Sequence, residues 1–78
     1  MNYDITLDVT GLNCPLPLLR LKQLLPQVNP GEVIQVLATD PAAHLDLGVF
    51  INHSSHEMLL HERKGDVQLF YIQTSADK

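Results

Sequence analysis

Cys14 is the one cysteine of the chain and the side chain best suited to nucleophilic chemistry. It stands within Leu12–Pro17, where Pro15 and Pro17 suit the first turn of a helix because a missing N–H costs little there. Asn13 is a favoured helix cap, so the cysteine is expected at or beside a helix start. Helix starts carry partial positive charge and free N–H groups, which favour a thiolate over a thiol. The sequence therefore predicts an activated cysteine on a rigid, outward-facing tip.

Nucleophilic chemistry at sulfur needs a thiolate, and at the ordinary pKa of about 8.5 only a few per cent of a cysteine is charged at pH 7. The sequence shows no Cys–His pair that would supply a general base. The N–H groups of Leu16 and Leu18 are expected to hold the charged sulfur. The alternative reading of Cys14 is a small buried hydrophobe at a proline turn.

Residues on either side of Cys14 have predicted supporting roles. Gly11 permits the positive φ of a backbone turn. Asp8 is expected to cap or brace the loop, since a carboxylate next to the thiol would raise the cysteine pKa and oppose activation. Leu16 and Arg20, near the cysteine end of the first helix, are candidate contacts with a partner protein.

A second set of candidates follows the next predicted strand. Asp40 and Pro41 are predicted to cap and begin the second helix. Their loop is expected to lie near Cys14, because both helices follow strands that could run side by side, so Asp40 is also a candidate partner contact. Asp46 and Phe50 are interpreted as a brace and a core residue rather than as parts of a site.

Four histidines raise the question of a metal site: His44, His53, His56 and His61. Zinc sites pair closely spaced ligands with cysteine or carboxylate support. The spacing of His53 and His56 is loose, and the cysteine is far away in sequence. No metal site is therefore expected, and His56 is interpreted as a strand-entry residue packed near the helix ends.

Composition narrows the class of protein. The 78 residues include nine acidic and five basic side chains, which gives a net charge of -4. This charge argues against non-specific binding to nucleic acid, which needs clustered Lys and Arg. One cysteine excludes an internal disulfide and fits a reducing compartment. The sequence has no apolar run of the roughly 18–20 residues that a membrane span needs, and its first residues lack the charge of a signal peptide. A single cytoplasmic domain over residues 1–78 is expected.

The elements that must position Cys14 follow from hydrophobic periodicity. A strand is predicted over Tyr3–Val9, then a helix from Pro15 that ends or bends near Leu25 because of Pro26. The core stripe of that helix is predicted to include Leu18, Leu21, Leu25 and Val28.

The second half of the chain predicts another strand and helix, then a hairpin. The strand covers Glu32–Thr39, and the helix runs to about Asn52. In that helix Leu45, Val49 and Phe50 are predicted to face the core, with Leu47 at the margin. The hairpin strands are His56–Arg63 and Val67–Thr74, joined at Lys64-Gly65-Asp66.

The predicted order is β-α-β-α-β-β. Two helices cannot easily cover both faces of four strands in so small a chain, so an α+β two-layer sandwich with both helices on one face of a mixed sheet is expected. Both faces of the last strand are predicted to be covered, because its apolar residues do not alternate strictly. The other sheet face is expected to be largely solvated or used for contact.

The chain resembles the TusA/SirA-like family of small sulfur-carrier proteins. The residues that carry the resemblance are, in order, Asp8, Gly11, Cys14-Pro15-Leu16-Pro17, Pro30-Gly31-Glu32, Asp40-Pro41-Ala42, Asp46, Phe50 and His56-Glu57. They span nearly the whole chain. The resemblance implies a two-layer α/β sandwich and a sulfur-carrying cysteine at Cys14, with Gly11, Asn13, Pro15 and Pro17 as motif residues.

The resemblance also implies partners. Relatives receive sulfane sulfur from a cysteine desulfurase or rhodanese-like donor, and pass it to an acceptor protein in tRNA thiolation, molybdenum cofactor synthesis or sulfur oxidation. They use no metal or organic cofactor. A carrier that docks alternately on two partners needs an accessible tip, so a monomer is expected, without direct contact to nucleic acid or membrane. Leu16 stands where many relatives have an acidic residue and Ser55 where many have glycine, which leaves the partner's identity open.

Two other function classes compete with the sulfur carrier. A non-catalytic binding or regulatory domain would keep the fold without using Cys14. RNA binding occurs on related two-layer folds, but the acidic balance and the lack of a Lys/Arg stripe disfavour it.

Overall fold

The computed structural model describes residues 2–76, which form one mixed sheet with a helical layer. Its elements are β1 (Ile5–Val9), α1 (Leu16–Leu24), a 3-10 turn (Leu25–Gln27), β2 (Val33–Ala38), α2 (Ala43–Asn52), β3 (Glu57–Lys64) and β4 (Val67–Gln73). The strand order is β1-β2-β4-β3, with β1 parallel to β2 and the other pairs antiparallel. The predicted element order and four-stranded mixed sheet are confirmed.

Both helices pack on the same face of the sheet. The buried cluster takes alternate residues from the strands and a stripe from each helix: Val9, Leu21, Ile34, Val36, Ala38, Ala43, Leu47, Ile51, Phe70 and Ile72. Alternation along β2 and β4 follows from the period of two that sends successive side chains to opposite sheet faces. The two-layer arrangement predicted from the sequence is therefore the observed one.

The first helix matches its predicted core stripe. Leu21 is fully buried, and Leu18, Leu25 and Val28 pack against the central cluster. The α-helix ends at Leu24 and continues as a 3-10 turn through Pro26. The predicted break near Leu25 is confirmed, and its cause is the proline, which cannot donate the hydrogen bond that would extend the α-helix.

The second helix has a different buried face from the predicted one. Leu47 is 0% exposed, whereas Leu45 and Val49 are 60% and 61% exposed. The buried stripe runs through residues 43, 47 and 51, each four positions after the last, and Phe50 packs partly against it as predicted. The prediction that Leu45 and Val49 face the core is wrong, because α2 has apolar residues on several sides and its contact with the sheet buries a different stripe.

The last strand is covered on both faces. Residues 68–72 are all buried, although only alternate ones face the helices. On the opposite face, Gln35 Nε2 donates a hydrogen bond of 3.0 Å to Tyr71 Oη, and Tyr3 stacks on Tyr71 with 6.1 Å between ring centroids. The prediction that both faces of this strand are covered is confirmed. The hairpin before it closes through Gly65, whose φ of 61° suits a residue without Cβ.

The parallel pairing of β1 with β2 decides which loops meet. Val9 is opposite Ala38, so the carboxyl ends of both strands lie at one edge of the sheet. The loop that carries Cys14 leaves β1 there, and the loop that carries Asp40 leaves β2 beside it. The two loops therefore converge, as expected if the strands before them run side by side.

Candidate functional site

Cys14 lies in the loop between β1 and α1, and its side chain is exposed. The loop begins with a turn at Gly11, which has a φ of 81° and donates its N–H to Thr39 Oγ1 at 2.9 Å. The positive φ predicted for this glycine is present. Because the acceptor belongs to the loop after β2, this hydrogen bond ties the two converging loops together.

Asp8 braces the first turn of this loop and does not bond to the cysteine. Its Oδ1 accepts hydrogen bonds from the N–H and the hydroxyl of Thr10, at 3.0 and 2.7 Å. These two bonds stabilise the carboxylate and lower the pKa of Asp8, with the Thr10 hydroxyl as the larger cause. Its position agrees with the structural role that the sequence suggests.

The start of α1 differs in detail from the predicted one. Helix α1 begins at Leu16, Pro15 occupies the N-cap position, and Pro17 is buried within the first turn. No side chain caps this helix, so the prediction of an Asn13 cap is wrong. Instead the backbone carbonyl of Asn13 accepts the N–H of Leu16 at 2.8 Å, in a turn whose Cys14–Pro15 peptide bond is cis.

That geometry redirects the donor expected to hold the sulfur. The Leu16 N–H is taken by Asn13, and Cys14 lies one residue before the N-cap rather than on the helix end. The Leu16 N–H is therefore not available to the sulfur.

Two carboxylates converge on Cys14, one from the loop after β2 and one from the first turn of α2. Asp46, in the first turn of α2, accepts a hydrogen bond from Cys14 Sγ with 2.6 Å between Sγ and Oδ2. Asp40 accepts the Cys14 backbone N–H at its Oδ2, at 2.9 Å. One carboxylate thus holds the main chain of the cysteine and the other holds its sulfur.

These carboxylates reverse the predicted electrostatics of the cysteine. The hydrogen bond to Asp46 is the main cause that raises the pKa of Cys14, followed by slight desolvation and by the negative charges of Asp46 and Asp40. A thiolate beside two carboxylates is less favourable than a thiol that donates to one of them. The pKa of Cys14 is therefore shifted in the opposite direction to the one that the helix start predicted, and the expectation of a pKa lowered by the helix start is wrong.

Asp40 is a buried brace rather than an exposed contact. Helix α2 begins at Ala43 with Ala42 at its N-cap, so the prediction that Asp40 is the cap residue is wrong, although Asp40 Oδ1 accepts the Ala42 N–H at 3.4 Å in the turn before the helix. The Asp40 carbonyl accepts the Ala43 N–H at 3.0 Å and the side-chain amide of Gln68 at 3.0 Å. Because Asp40 is only 9% exposed, it cannot offer the open surface expected of a partner contact.

A small network supports Asp40 from the sheet. Gln68 is buried on β4, and its Oε1 lies 3.0 Å from Nε2 of His61 on β3. The network links the last two strands to the loop that holds Cys14. The sequence alone suggests no role for Gln68. Its burial, which points to a structural role, becomes apparent only from the pairing of β4 with its neighbours.

Exposed side chains on the helical layer complete the description of the predicted site residues. Leu16 and Leu19 on α1 are exposed leucines, and Arg20 of the same helix is exposed as well. On α2 the exposed apolar residues are Leu45 and Val49. The structure thus leaves Leu16 and Arg20 accessible, as a partner contact requires, and whether they contact one stays a prediction.

The side chains that could hold a metal ion lie at the cysteine rather than among the histidines. Within residues 2–76, one group of three candidate ligands has its atoms within 4.8 Å of one another: Cys14, Asp40 and Asp46. The two hydrogen bonds to the cysteine already account for this proximity. The group therefore gives no reason to invoke a metal.

The four histidines fall into two pairs at different places. His44 on α2 stacks on His61 with ring centroids 6.1 Å apart. His53 and His56 line a cavity of about 380 Å³ at the opposite end of the sheet, together with Phe50 and Lys22. His56 Nδ1 accepts the Ser75 N–H at 3.0 Å just before β3 begins, which confirms its predicted position at the strand entry.

Comparison with known proteins decides the family. Residues 5–74 match the family described as Sulfurtransferase TusA. The chain belongs to the TusA family. It is 37% identical over 75 residues to the Sulfur carrier protein TusA of Pseudomonas entomophila, covering 96% of this chain and 94% of the relative. The Allochromatium vinosum protein of the same name is 38% identical over 74 residues, covering 95% and 97% of the two chains.

A solved structure agrees with TusA membership. The crystal structure of a SirA-like protein from Desulfitobacterium hafniense superposes with a TM-score of 0.72 and 27% identity, covering 92% of this chain and 99% of that one. The resemblance stated from the Cys14 motif is therefore confirmed for family and fold. Within residues 2–76, no helix is both long and apolar enough to cross a membrane.

Asp46 lies at the cysteine itself, which the sequence does not predict. The sequence suggests a brace, and the structure shows that its carboxylate bonds the cysteine sulfur. This contact could have been predicted from the topology. If the carboxyl ends of β1 and β2 are neighbours, a polar residue in the first turn of the helix after β2 can point toward the loop after β1. That reasoning needs the parallel pairing, which periodicity alone does not supply.

Proposed function

We propose that this TusA-family protein is a sulfur carrier that accepts sulfane sulfur on Cys14 as a persulfide and delivers it to an acceptor protein. The observation that carries the proposal is the exposed thiol at the edge of the sheet, held by its backbone N–H to the buried Asp40. Such a tip can enter another protein's site with little rearrangement of its own core. The family and the named relatives support the same role.

The proposed loading step is redox-neutral and balanced. Cys14 Sγ attacks the outer sulfur of a donor persulfide, so an Sγ–S bond forms and the donor's own S–S bond breaks. The donor's inner sulfur leaves with the electron pair and takes up the proton that Cys14 gives up. Delivery is the reverse type of exchange, in which an acceptor thiolate attacks the outer sulfur and Cys14 leaves.

The proposed partners follow from this chemistry. The donor is a protein persulfide of the cysteine desulfurase or rhodanese type, and the acceptor serves tRNA thiolation, molybdenum cofactor synthesis or sulfur oxidation. The activity is that of a sulfurtransferase without small-molecule turnover of its own, and the exchange uses no cofactor. We place the carrier as a cytoplasmic monomer, with Leu16 and Arg20 as candidate contacts.

Mass spectrometry of the intact protein tests the proposal. Incubation with a cysteine desulfurase and cysteine, or with a rhodanese and thiosulfate, is expected to add ~32 Da, the mass of one sulfur atom, at Cys14. The Cys14→Ser variant is the matched control and should gain nothing. Absence of any sulfur adduct with both kinds of donor would overturn the carrier role.

A binding or regulatory role that does not use Cys14 is the second candidate. The hydrogen bond from Sγ to Asp46 favours it, because that bond keeps the sulfur in its less reactive thiol form. Under this reading, cells that carry Cys14→Ser show the same phenotype as the wild type. Loss of the phenotype in that variant excludes the second candidate.

A further inference from the structure

We propose that Asp46 is a positioning residue that distinguishes two states of Cys14: it holds the empty thiol against α2 and turns the loaded persulfide outward. The inference rests on the proposed function, because the loaded state is the persulfide of the sulfur carrier. Its starting observation is the 2.6 Å hydrogen bond from Cys14 Sγ to Asp46 Oδ2.

The two bonded groups are both anchored to the core. Asp46 lies between Ala43 and Leu47 on α2, and both of these residues are buried in the central cluster. The main chain of Cys14 is held by Asp40, whose own carbonyl is bonded by the buried Gln68. The carboxylate and the sulfur therefore face each other from fixed backbones, so the bond depends on the chemical state of the sulfur more than on loop position.

The charged groups around the sulfur are unequal. The loop after β2 contributes Asp40, and α2 contributes Asp46. The first turn of α1, Leu16–Leu19, carries no acidic residue, and its cation Arg20 follows in the next turn on an exposed position. Asp8 at the end of β1 is engaged with its own turn. The field at the sulfur is therefore set mainly by the two carboxylates.

The empty and loaded states respond oppositely to this field. An empty thiol has one proton, which it donates to the carboxylate in a charge-assisted bond. Once Sγ is bonded to a second sulfur, it has no proton to donate, so that bond is lost. The outer sulfur of a persulfide is more acidic than a thiol and carries negative charge, so Asp46 repels it toward solvent.

The consequence is a carrier whose reactivity depends on its load. The empty thiol is held protonated and is slow to react with small electrophiles and oxidants. The loaded sulfur is directed away from the domain, where an acceptor's thiolate can reach it. The Asp46 carboxylate thus slows unwanted reactions of the empty thiol and exposes the outer sulfur of the loaded persulfide.

The first arm of the test measures the empty thiol. The rate of Cys14 alkylation by iodoacetamide is measured from pH 6 to 10 in the presence of a metal chelator. The proteins compared are the wild type, Asp46→Asn and the control Glu57→Gln. Glu57 is exposed at the opposite end of the sheet, so its variant makes the same change in net charge without touching the site. Asp46→Asn is expected to react roughly three- to tenfold faster at pH 7, with its profile moved to lower pH, because the charge-assisted bond is gone. Glu57→Gln should match the wild type.

The second arm measures the loaded sulfur. Persulfide-loaded protein is treated with the same reagent, and the ratio of loaded to empty reactivity is compared between variants. That ratio is expected to fall in Asp46→Asn, because the variant both frees the thiol and stops repelling the persulfide. An equal change in both states would overturn the proposal, and slower alkylation of empty Asp46→Asn at pH 7 would instead make Asp46 a general base.

A wild-type measurement guards against a variant that does not fold. The carboxyl carbon resonance of Asp46 is expected to shift on sulfur loading, since its hydrogen bond is lost, and an unchanged resonance overturns the inference. If no form of the protein can be loaded with sulfur, both the proposed function and the proposed outward orientation of the persulfide are overturned. The alkylation arm would still decide whether Asp46 restrains the thiol, so the two failures are distinguishable.

Discussion

Replacing Leu47 with alanine is expected to cost far more stability than replacing Leu45, although the two residues are two positions apart on one helix. Leu47 is fully buried against the sheet, whereas Leu45 is mostly exposed. Loss of three buried carbons removes about 2 kcal/mol of transfer free energy, and the cavity left behind raises the total to about 3–4 kcal/mol. Leu45→Ala should change the free energy of unfolding by less than about 0.5 kcal/mol, because alanine also favours the helix.

The expected loss is large for a chain of this length. A domain of 78 residues has roughly 4–12 kcal/mol of stability in total. A loss of 3 kcal/mol in a domain of this size lowers the Tm by roughly 10–25 °C. Leu47→Ala is therefore expected to be only marginally folded at 37 °C, while Leu45→Ala keeps a wild-type transition.

Urea and thermal unfolding followed by circular dichroism at 222 nm measure both variants under reducing conditions. The comparison is internal, since both substitutions remove the same atoms from the same helix. Equal losses, or a larger loss for Leu45→Ala, would refute the packing of α2 described above. They would support instead the rotation about the helix axis that hydrophobic periodicity first suggested.

Three further predictions concern the charged groups of the site. Asp40→Ala is expected to lower the free energy of unfolding by about 1–3 kcal/mol, because the Cys14 N–H loses its acceptor. Asp40→Asn should lower it less, because the amide oxygen can still accept that N–H. Equal losses for the two variants in urea unfolding would contradict this explanation. The folded pKa of Asp8 lies below its ordinary value of 3.8, so its stabilisation is present above that pH and is lost as pH falls through the folded value. Asp8→Asn should flatten the loss of stability between about pH 5 and pH 2 in urea titrations, and an unchanged acid slope would refute the role of the Thr10 bonds. The folded pKa of Cys14 lies above its ordinary value of 9.0, so its stabilisation is present below that pH and is lost as pH rises through the folded value. Wild type should lose stability relative to Cys14→Ser in unfolding series above about pH 9, and parallel curves would count against the Asp46 bond.

Local patterns predicted most of the fold because the elements obey local rules. The alternation of Tyr3–Val9, the helix break at Pro26 and the glycine turn at Gly65 each depend on a few neighbouring residues. The helix caps were predicted less well. Asn13 and Asp40 both have good capping side chains, yet Asn13 leaves α1 uncapped, and the Asp40 carboxylate accepts both the Ala42 N–H and the Cys14 N–H. Capping preference is a local tendency, whereas the bond to Cys14 joins residues 26 positions apart and depends on the fold.

What the sequence determined by itself was the order of the elements, the family and the candidate reacting atom. These follow from a single cysteine in a proline box, from periodicity and from motif residues in order. Only the tertiary structure decided the electrostatics of that atom. Asp40 and Asp46 stand 26 and 32 positions from Cys14 along the chain, and parallel pairing of β1 with β2 brings both to it. Charges act through space rather than along the chain. The sequence placed a helix start near Cys14 and so predicted a lowered pKa, but the fold places two carboxylates beside the sulfur, and these raise its pKa.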